Sequence, residues 1–359
     1  MSTSAGDAPP GNDAAASSTD PAPSSKGAAA SPKGAAPSRT RALRGGIDLG
    51  GTKIEAIVVD KANKVLGSAR HPTPTTGTPA DVAKQMAAAM TEAATAAKTN
   101  TQALIGIGVG SPGTIDTNAG TVTSARNLPG WDGTYPVGPE LAKELGTRVV
   151  VGNDVQVATR VEFELGAGRP YKSLIGVFWG TGVGGGLVLA GKPWRGRGGA
   201  GEIGHMVVRQ GGRRCPCGNK GCVEAYAGRA AMEARARKLI KKGKKSDLPK
   251  IMREKQHERF TSAVWADAVE HEDKLATKLI EEALKALGAG IASAVNLLDI
   301  EAVLIGGGLG VRFGEPYVER IREAMKPHLF PGHQPPQVHL VGLGDLGGAL
   351  GAALLVADR

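Results

Sequence analysis

Cysteine is scarce in this chain: three in 359 residues, all between Cys215 and Cys222. A disulfide framework is therefore excluded. Three clustered thiols with none to spare point to a metal in a reducing compartment, and so to the cytoplasm. No apolar run reaches the roughly 18–20 residues of a membrane span. The start, MSTSAGDAPPGND, has no early basic residue and no apolar h-region, so it does not read as a secretory signal. No GxxxxGK[ST] pattern occurs, which excludes a P-loop. Aromatic residues make up only 4%.

Acidic residues are also in deficit, and the formal net charge is +10. The excess is local. Residues 235–259 hold eleven basic and three acidic side chains, and residues 1–44 hold five and three. A basic stretch of this kind is a solvated helical face or a contact for a polyanion. Only Phe260 and Trp265 lie nearby, so the interleaved aromatics of a nucleic-acid site are missing.

What is present is a repeated α/β plan. Residues 1–44 are rich in Ala, Ser, Pro and Gly without apolar periodicity and are expected to be a disordered tail. Order is expected from GGIDLGGTKIEAIVVD, read as two strands joined by a glycine turn. Residues 80–98 read as a helix, ALIGIGVGSPG and RVVVGND as strands, and VATRVEFELGAG as a helix stopped by glycine. A second cycle follows. SLIGVFWGTGVGGGLVLAG repeats the first hairpin, and DIEAVLIGGGLG echoes TQALIGIGVGSPG. Between them Leu275, Leu279, Leu284, Leu287, Ile291, Val295 and Leu298 mark one face of a long helix. Two lobes are expected, at 45–160 and 161–359, with ligand loops facing each other across a cleft.

Two glycine turns stand at matching places, DLGGTK and WGTGVGGG. Glycine lets backbone N–H groups approach an anion without a Cβ in the way. Thr52 and Thr181 add hydroxyls, Lys53 adds a positive charge, and Asp48 is placed to hold a magnesium-bound water. Both turns could equally be plain hairpin bends; their pairing favours phosphate. Gly180-x-Gly182-x-x-Gly185 and Gly108-x-Gly110-x-x-Gly113 fit GxGxxG, but neither opens a helix, so a dinucleotide fingerprint is rejected. LIGGGLG, Leu304 to Gly310, ends a late strand where an adenosine could lie against the backbone.

GNDV puts Asp154 at the end of an apolar strand. A carboxylate there is either the base that takes a proton from a sugar hydroxyl or the N-cap of the next helix. GEIGHMVV supplies Glu202 and His205. His205 precedes Cys215 by ten residues and is the best fourth ligand beside Cys215, Cys217 and Cys222. Cys3His is a closed, structural zinc set. Imidazole bound through one nitrogen keeps the other for a hydroxyl, and Glu202 and Glu224 flank the loop.

Together, DLGGTK, GSPGTID, NLPGW, GND, GTGVGGG, GEIGH, CPCGNKGCVEAY, LIGGG and GDLGGALGAA, in this order, resemble the ROK family of sugar kinases and repressors. The resemblance covers Gly46 to Arg359. It implies an actin-like, ribonuclease-H-like α/β fold with two lobes and a zinc-binding loop, and transfer of the ATP γ-phosphoryl group to a hexose. By that resemblance Asp154 is the catalytic base, and Gly113, Asn127, Asn153, Asp154, Glu202, His205 and Glu224 form the sugar site. His205, Cys215, Cys217 and Cys222 hold zinc. Asp48, Gly50, Gly51, Thr52 and Lys53, with Gly180, Thr181 and Gly182, meet the phosphates of Mg-ATP, and Gly306, Gly307 and Gly308 meet the nucleoside. A homo-oligomer, dimer or tetramer, is expected, with neither membrane nor DNA as partner.

Two features depart from the family pattern. Its repressors carry a helix-turn-helix where this chain has its tail, and Gly347 stands where alanine is frequent. The expected activity is an ATP-dependent hexokinase of the glucokinase type acting on the 6-hydroxyl of glucose. Kinases for N-acetylglucosamine, N-acetylmannosamine or fructose, a non-catalytic sugar sensor, and polyphosphate as donor are the alternatives.

Overall fold

The computed structural model describes residues 42–125, 128–332 and 334–357. The expected tail therefore lies outside the described residues, apart from its last three positions. Those three correct the expected start of order. Strand β1, Arg44–Leu49, includes Arg44, which is only 6% exposed. Its guanidinium donates to the Asp60 carbonyl at 3.1 Å and to Asn63 Oδ1 at 2.6 Å. Those bonds are what let a charged residue open a buried strand.

The first half continues with β2, Lys53–Val59, and β3, Val65–Pro72. Helix α1, Pro79–Ala96, then starts on a capping box: the Asp81 carboxylate accepts from the Thr78 N–H at 2.9 Å, with proline at the first helical position. Next come β4, Ile107–Ser111, and three short strands, β5, Thr114–Asp116, β6, Thr121–Thr123, and β7, Thr134–Tyr135. Helix α2, Val137–Leu145, ends on left-handed Gly146, and β8, Val149–Asn153, leads straight into α3, Asp154–Leu165.

The second half repeats this order with a large insertion. Strands β9, Leu174–Trp179, β10, Val183–Leu189, and β11, Lys192–Trp194, form its hairpins. Five helices follow: α4, Glu224–Ala227, α5, Arg229–Lys241, α6, Leu248–Glu254, α7, Ser262–Glu270, and α8, Lys274–Leu298. The leucine face expected on the long helix is buried in α8, except that Leu298 is partly exposed. Then come β12, Ala302–Gly306, α9, Gly307–Phe313, α10, Glu315–Met325, β13, Gln337–Leu340, and α11, Gly347–Leu354.

The two large sheets have one topology. The first runs β3-β2-β1-β4-β8 and the second β11-β10-β9-β12-β13. In each, two antiparallel hairpin pairings are followed by two parallel ones. The repeat seen in the sequence is thus a repeat of sheets, and the architecture is the α/β one expected.

The closing helices are exchanged. Helix α3, at the end of the first half, packs on β9 and β10 of the second sheet, where Phe163 meets the cluster of Leu174, Val188, Ala302 and Leu304. Helix α11, at the end of the second half, packs on β1, β2 and β4 of the first sheet, where Ala349 and Ala353 meet Ile57 and Val59. A Cβ on Gly108 would overlap the Ala352 carbonyl, so glycine in β4 is what lets α11 lie this close. The expected lobe boundary at 160/161 falls inside α3, and the last helix of the chain rests on the first sheet. Among the described residues no helix is long and apolar enough to cross a membrane.

Candidate active site and metal centre

Two elements of the first half carry two partly buried acids. Asp48 lies near the end of β1, and burial, together with the nearby Asp154 carboxylate, pushes its carboxyl up to about 7. Asp154 is the first residue of α3. Burial pushes it up to about 6, and the Glu202 carboxylate adds to the rise, while the Val155 N–H, donating to Oδ1 at 2.9 Å, opposes it. The capping duty at this helix belongs to its neighbour. Asn153 Oδ1 accepts from the Gln156 N–H at 3.2 Å, so Asp154 is not the N-cap. Capping also commits the Asn153 carbonyl oxygen, and its amide N–H2 is the end that can turn to a ligand.

A cleft of about 740 Å3 opens beside Asn153; neither Asp48 nor Asp154 is among its lining residues. Gly113, Asn153 and Glu202 line it, with Gln156, Trp194 and Arg197, which the sequence did not single out. Asn127, the remaining backbone-loop residue expected here, lies outside the described residues. Glu202 faces His205, with Oε2 to Nε2 at 3.9 Å.

His205 turns its other nitrogen to the cysteines. Nδ1 stands 3.7 Å from Cys215 Sγ, and Cys217 Sγ stands 3.8 Å from Cys222 Sγ. The four ligand atoms lie within 4.8 Å of one another. A tetrahedron with bonds of about 2.0–2.3 Å has edges of roughly 3.5–3.8 Å, so the donor set fits zinc. The knuckle is shaped by the chain itself: the Cys215 N–H donates to the Asn219 carbonyl at 2.8 Å, and the Val223 N–H to that of Met206 at 2.9 Å. Arg213 pairs with Glu282 of α8 and stacks 4.7 Å over the Tyr226 ring, fixing the loop to the second core. Burial pushes the Cys215 thiol up to about 12, whereas the Asn219 N–H holds Cys217 below its ordinary range.

Glu224, expected at the sugar, is like Asp154 and His205 not among the residues that line this cleft. Its Oε2 accepts from the Val183 N–H at 2.9 Å, and Oε1 is 3.9 Å from Cys215 Sγ. The residue therefore links the second glycine turn to the knuckle. Gly182 makes room for it, because a Cβ there would overlap the carboxylate.

The two glycine turns are braced differently. In the first, the Gly50 N–H donates to the Lys53 carbonyl at 2.9 Å, and Thr73 Oγ1 donates to the Gly50 carbonyl at 2.7 Å. Gly51 and Thr52 are exposed. Lys53 Nζ is 3.5 Å from both Glu55 and Asp345, and Arg70 bridges the same two acids at 2.6 and 3.1 Å. Gly348 packs on Asp48 so closely that a Cβ would overlap its carboxylate. In the second turn, Arg229 donates from Nη2 to Thr181 Oγ1 at 2.8 Å and from Nη1 to the Phe260 carbonyl at 3.2 Å. Gly180 approaches the Gly308 N–H, and Gly308 approaches Ser262 Oγ, so the Gly306–Gly308 turn adjoins this one.

Arg229, Thr73 and the acids around Lys53 were missed because no local pattern marks them; they arrive from other elements. The basic stretch 235–259 is largely a helical face with local ion pairs, Arg237 to Glu233 at 2.8 Å and Lys255 to Asp267 at 2.7 Å among them.

The chain is similar to known proteins over most of its length. The model of the ROK family matches residues 44–359. A glucokinase of Thermotoga maritima is 32% identical over 316 residues, covering 88% of this chain and 97% of that protein. An N-acetylgalactosamine kinase of Shewanella sp. is 30% identical over 86% of this chain and 95% of its own length. Among solved structures, a ROK family glucokinase of Streptomyces griseus in complex with glucose and AMPPNP is 30% identical, with a TM-score of 0.74 over 88% of this chain and 100% of that one.

Proposed function

The chain belongs to the ROK family, and on that footing we propose that it is an ATP-dependent hexokinase of the glucokinase type. The observation that carries the proposal is the state of Asp154. It is partly buried, relieved of capping by Asn153, and raised to about 6, so near neutral pH it is ionised and basic enough to accept a proton. In the reaction, Asp154 takes the proton of the glucose 6-hydroxyl as that oxygen attacks the γ-phosphorus. The bond to the β-phosphate oxygen breaks and ADP leaves.

Asn153, Glu202 and His205 Nε2 orient the sugar hydroxyls, with Gly113 and Asn127 completing the wall. Glu224 acts on the site through the second turn and the knuckle. The turns at Gly50–Lys53 and Gly180–Gly182 hold the phosphates, and Gly306–Gly308 holds the nucleoside. Mg2+ would sit by Asp48 and supply charge neutralisation at the phosphates. Zinc at His205, Cys215, Cys217 and Cys222 would fill all four positions and be structural. A homo-oligomer working in the cytoplasm completes this reading.

A panel of glucose, N-acetylglucosamine, N-acetylmannosamine and fructose, each against ATP and polyphosphate, tests it. Glucose with ATP should give the highest kcat/KM. A better acceptor among the other sugars would reassign the substrate. Sugar binding without turnover on any pair would favour the sugar sensor, and a DNA-binding measurement would then decide that reading.

A further inference from the structure

The chain passes between the two large sheets twice. The first passage is α3, which leaves β8 and packs on the second sheet; the other is the segment from β13 to α11, which returns to the first. Each passage carries a support of one of the two acids. Helix α3 begins with Asp154, and α11 sets Gly348 against Asp48. Any turning of one sheet relative to the other must act on these two passages.

The two crossings already pack on each other, where Val157 of α3 meets Ala352 of α11 and Leu355, and one side chain adds a polar tie between them. Glu162 stands eight residues after Asp154 on α3, roughly 12 Å along the helix axis, and is only 4% exposed. Its Oε2 accepts from the Ala167 N–H at 3.1 Å, where α3 has just ended. Both its oxygens accept from the Gly342 N–H at 3.0 Å, and Oε1 accepts from the Leu343 N–H at 2.9 Å. Gly342 and Leu343 are the second and third residues beyond β13 on the way to α11. Gly166 makes the reach possible, because a Cβ there would overlap Glu162 Oε2. A buried carboxylate filled by backbone N–H groups is a rigid connection, since hydrogen bonds to an ionised acceptor are stronger than neutral ones.

The geometry points to Glu162 as a positioning residue: its carboxylate clasps the two crossings together and thereby fixes the helix that carries Asp154 against the helix that abuts Asp48. Glu162 touches neither reacting group. It acts through the helices, and the two acids keep their spacing when the cleft closes only if both crossings move as one. The catalytic consequence rests on the kinase reading above; the clasp itself does not.

The test compares three variants of the full chain. Glu162→Gln keeps the shape but turns an N–H2 donor toward backbone donors. Gly166→Ala keeps the charge but pushes the carboxylate off its partners. Val161→Ala, on the same helix and fully buried, removes packing and leaves the clasp alone. Amide hydrogen exchange should show the Gly342 and Leu343 amides losing protection in the first two variants and keeping it in the third. With glucose and ATP, kcat should fall about ten- to a hundredfold in the first two, the size expected of a small misplacement, with the sugar KM changed less than kcat. Val161→Ala should lower the melting temperature and leave kcat near wild type. Protected 342–343 amides in Glu162→Gln would overturn the clasp. Lost protection with kcat no lower than that of Val161→Ala would overturn the positioning role. An inactive wild type would sink the kinase reading instead, and exchange would still decide the clasp.

Discussion

The two glycine turns close equivalent hairpins but draw their charged groups from different places. Strands β1 and β2 carry Asp48 and Lys53 themselves. At the matching positions β9 and β10 have Phe178 and Val183. The second turn receives its cation, Arg229, from α5 and its carboxylate, Glu224, from α4. Both come from the segment inserted between the second hairpin and β12, the segment that also holds the cysteines. The first turn thus has its charged groups built into its own strands, whereas the second borrows them from an insertion braced by the cysteine knuckle. A change in the first half should therefore act on chemistry directly, and a change in the second should act through binding and order.

The strongest way to break this contrast is Asp154→Asn. It removes basicity without touching the cap, which Asn153 provides. We expect kcat to fall by about 10²–10⁴-fold with ATP affinity and melting temperature near wild type. Near wild-type turnover would rule out Asp154 as the base. In the wild-type enzyme the base must be ionised, so kcat/KM should drop as pH falls through about 6. A rate that rises on the acid side would contradict this assignment.

Cys217→Ser tests the borrowed half. Removing one of four ligands should release zinc, measured by metal analysis, and lower the melting temperature by about 5 °C or more. The sugar KM should rise about ten- to a hundredfold, because His205 loses its anchor while Asp154 stays in place. A variant that keeps full sugar affinity without metal would detach the knuckle from the site.

Arg229→Met sharpens the contrast between the turns. It removes two charge-assisted hydrogen bonds at a half-buried place, to Thr181 Oγ1 and to the Phe260 carbonyl, so the ATP KM should rise about tenfold, equivalent to about 1.4 kcal/mol, with kcat little changed. An unchanged KM would show that the second turn holds its shape without the borrowed cation.

The smallest effect concerns stability. Asp48 is raised from 3.8 to about 7 on folding, chiefly by burial. Such a carboxyl contributes stability that is complete below 3.8 and is lost as pH rises through about 7. Asp48→Asn should therefore melt higher than wild type at pH 8, by a few degrees, and the advantage should shrink at pH 5. An advantage of equal size at both pH values would remove burial of the charge as its cause.

The sequence showed most of the fold and only part of the site. Apolar periodicity marked the core of α8 from Leu275 to Val295, and repeated glycine turns marked the two sheets, because both signals are local. The division at 160/161 misled, since no local pattern tells that α3 and α11 each lie on the other half's sheet. The cysteines and His205 were legible as a ligand set because ligand chemistry names its residues. Arg229 and Glu162 were not, because an ordinary charged residue on a helix gains its meaning only from the backbone it meets across the fold. Asp154 and Asn153 show the same limit at close range: either could cap α3, and only the hydrogen bond to Gln156 separates their duties.

The exchange of closing helices also bears on how the protein is made. During synthesis the strands that hold Ile57 and Val59 are complete some three hundred residues before Ala349 and Ala353 exist to cover them. One face of the first sheet must wait, bare and prone to association, until the chain's final helix is made. Losing α11 should therefore damage the part of the molecule farthest from it in sequence.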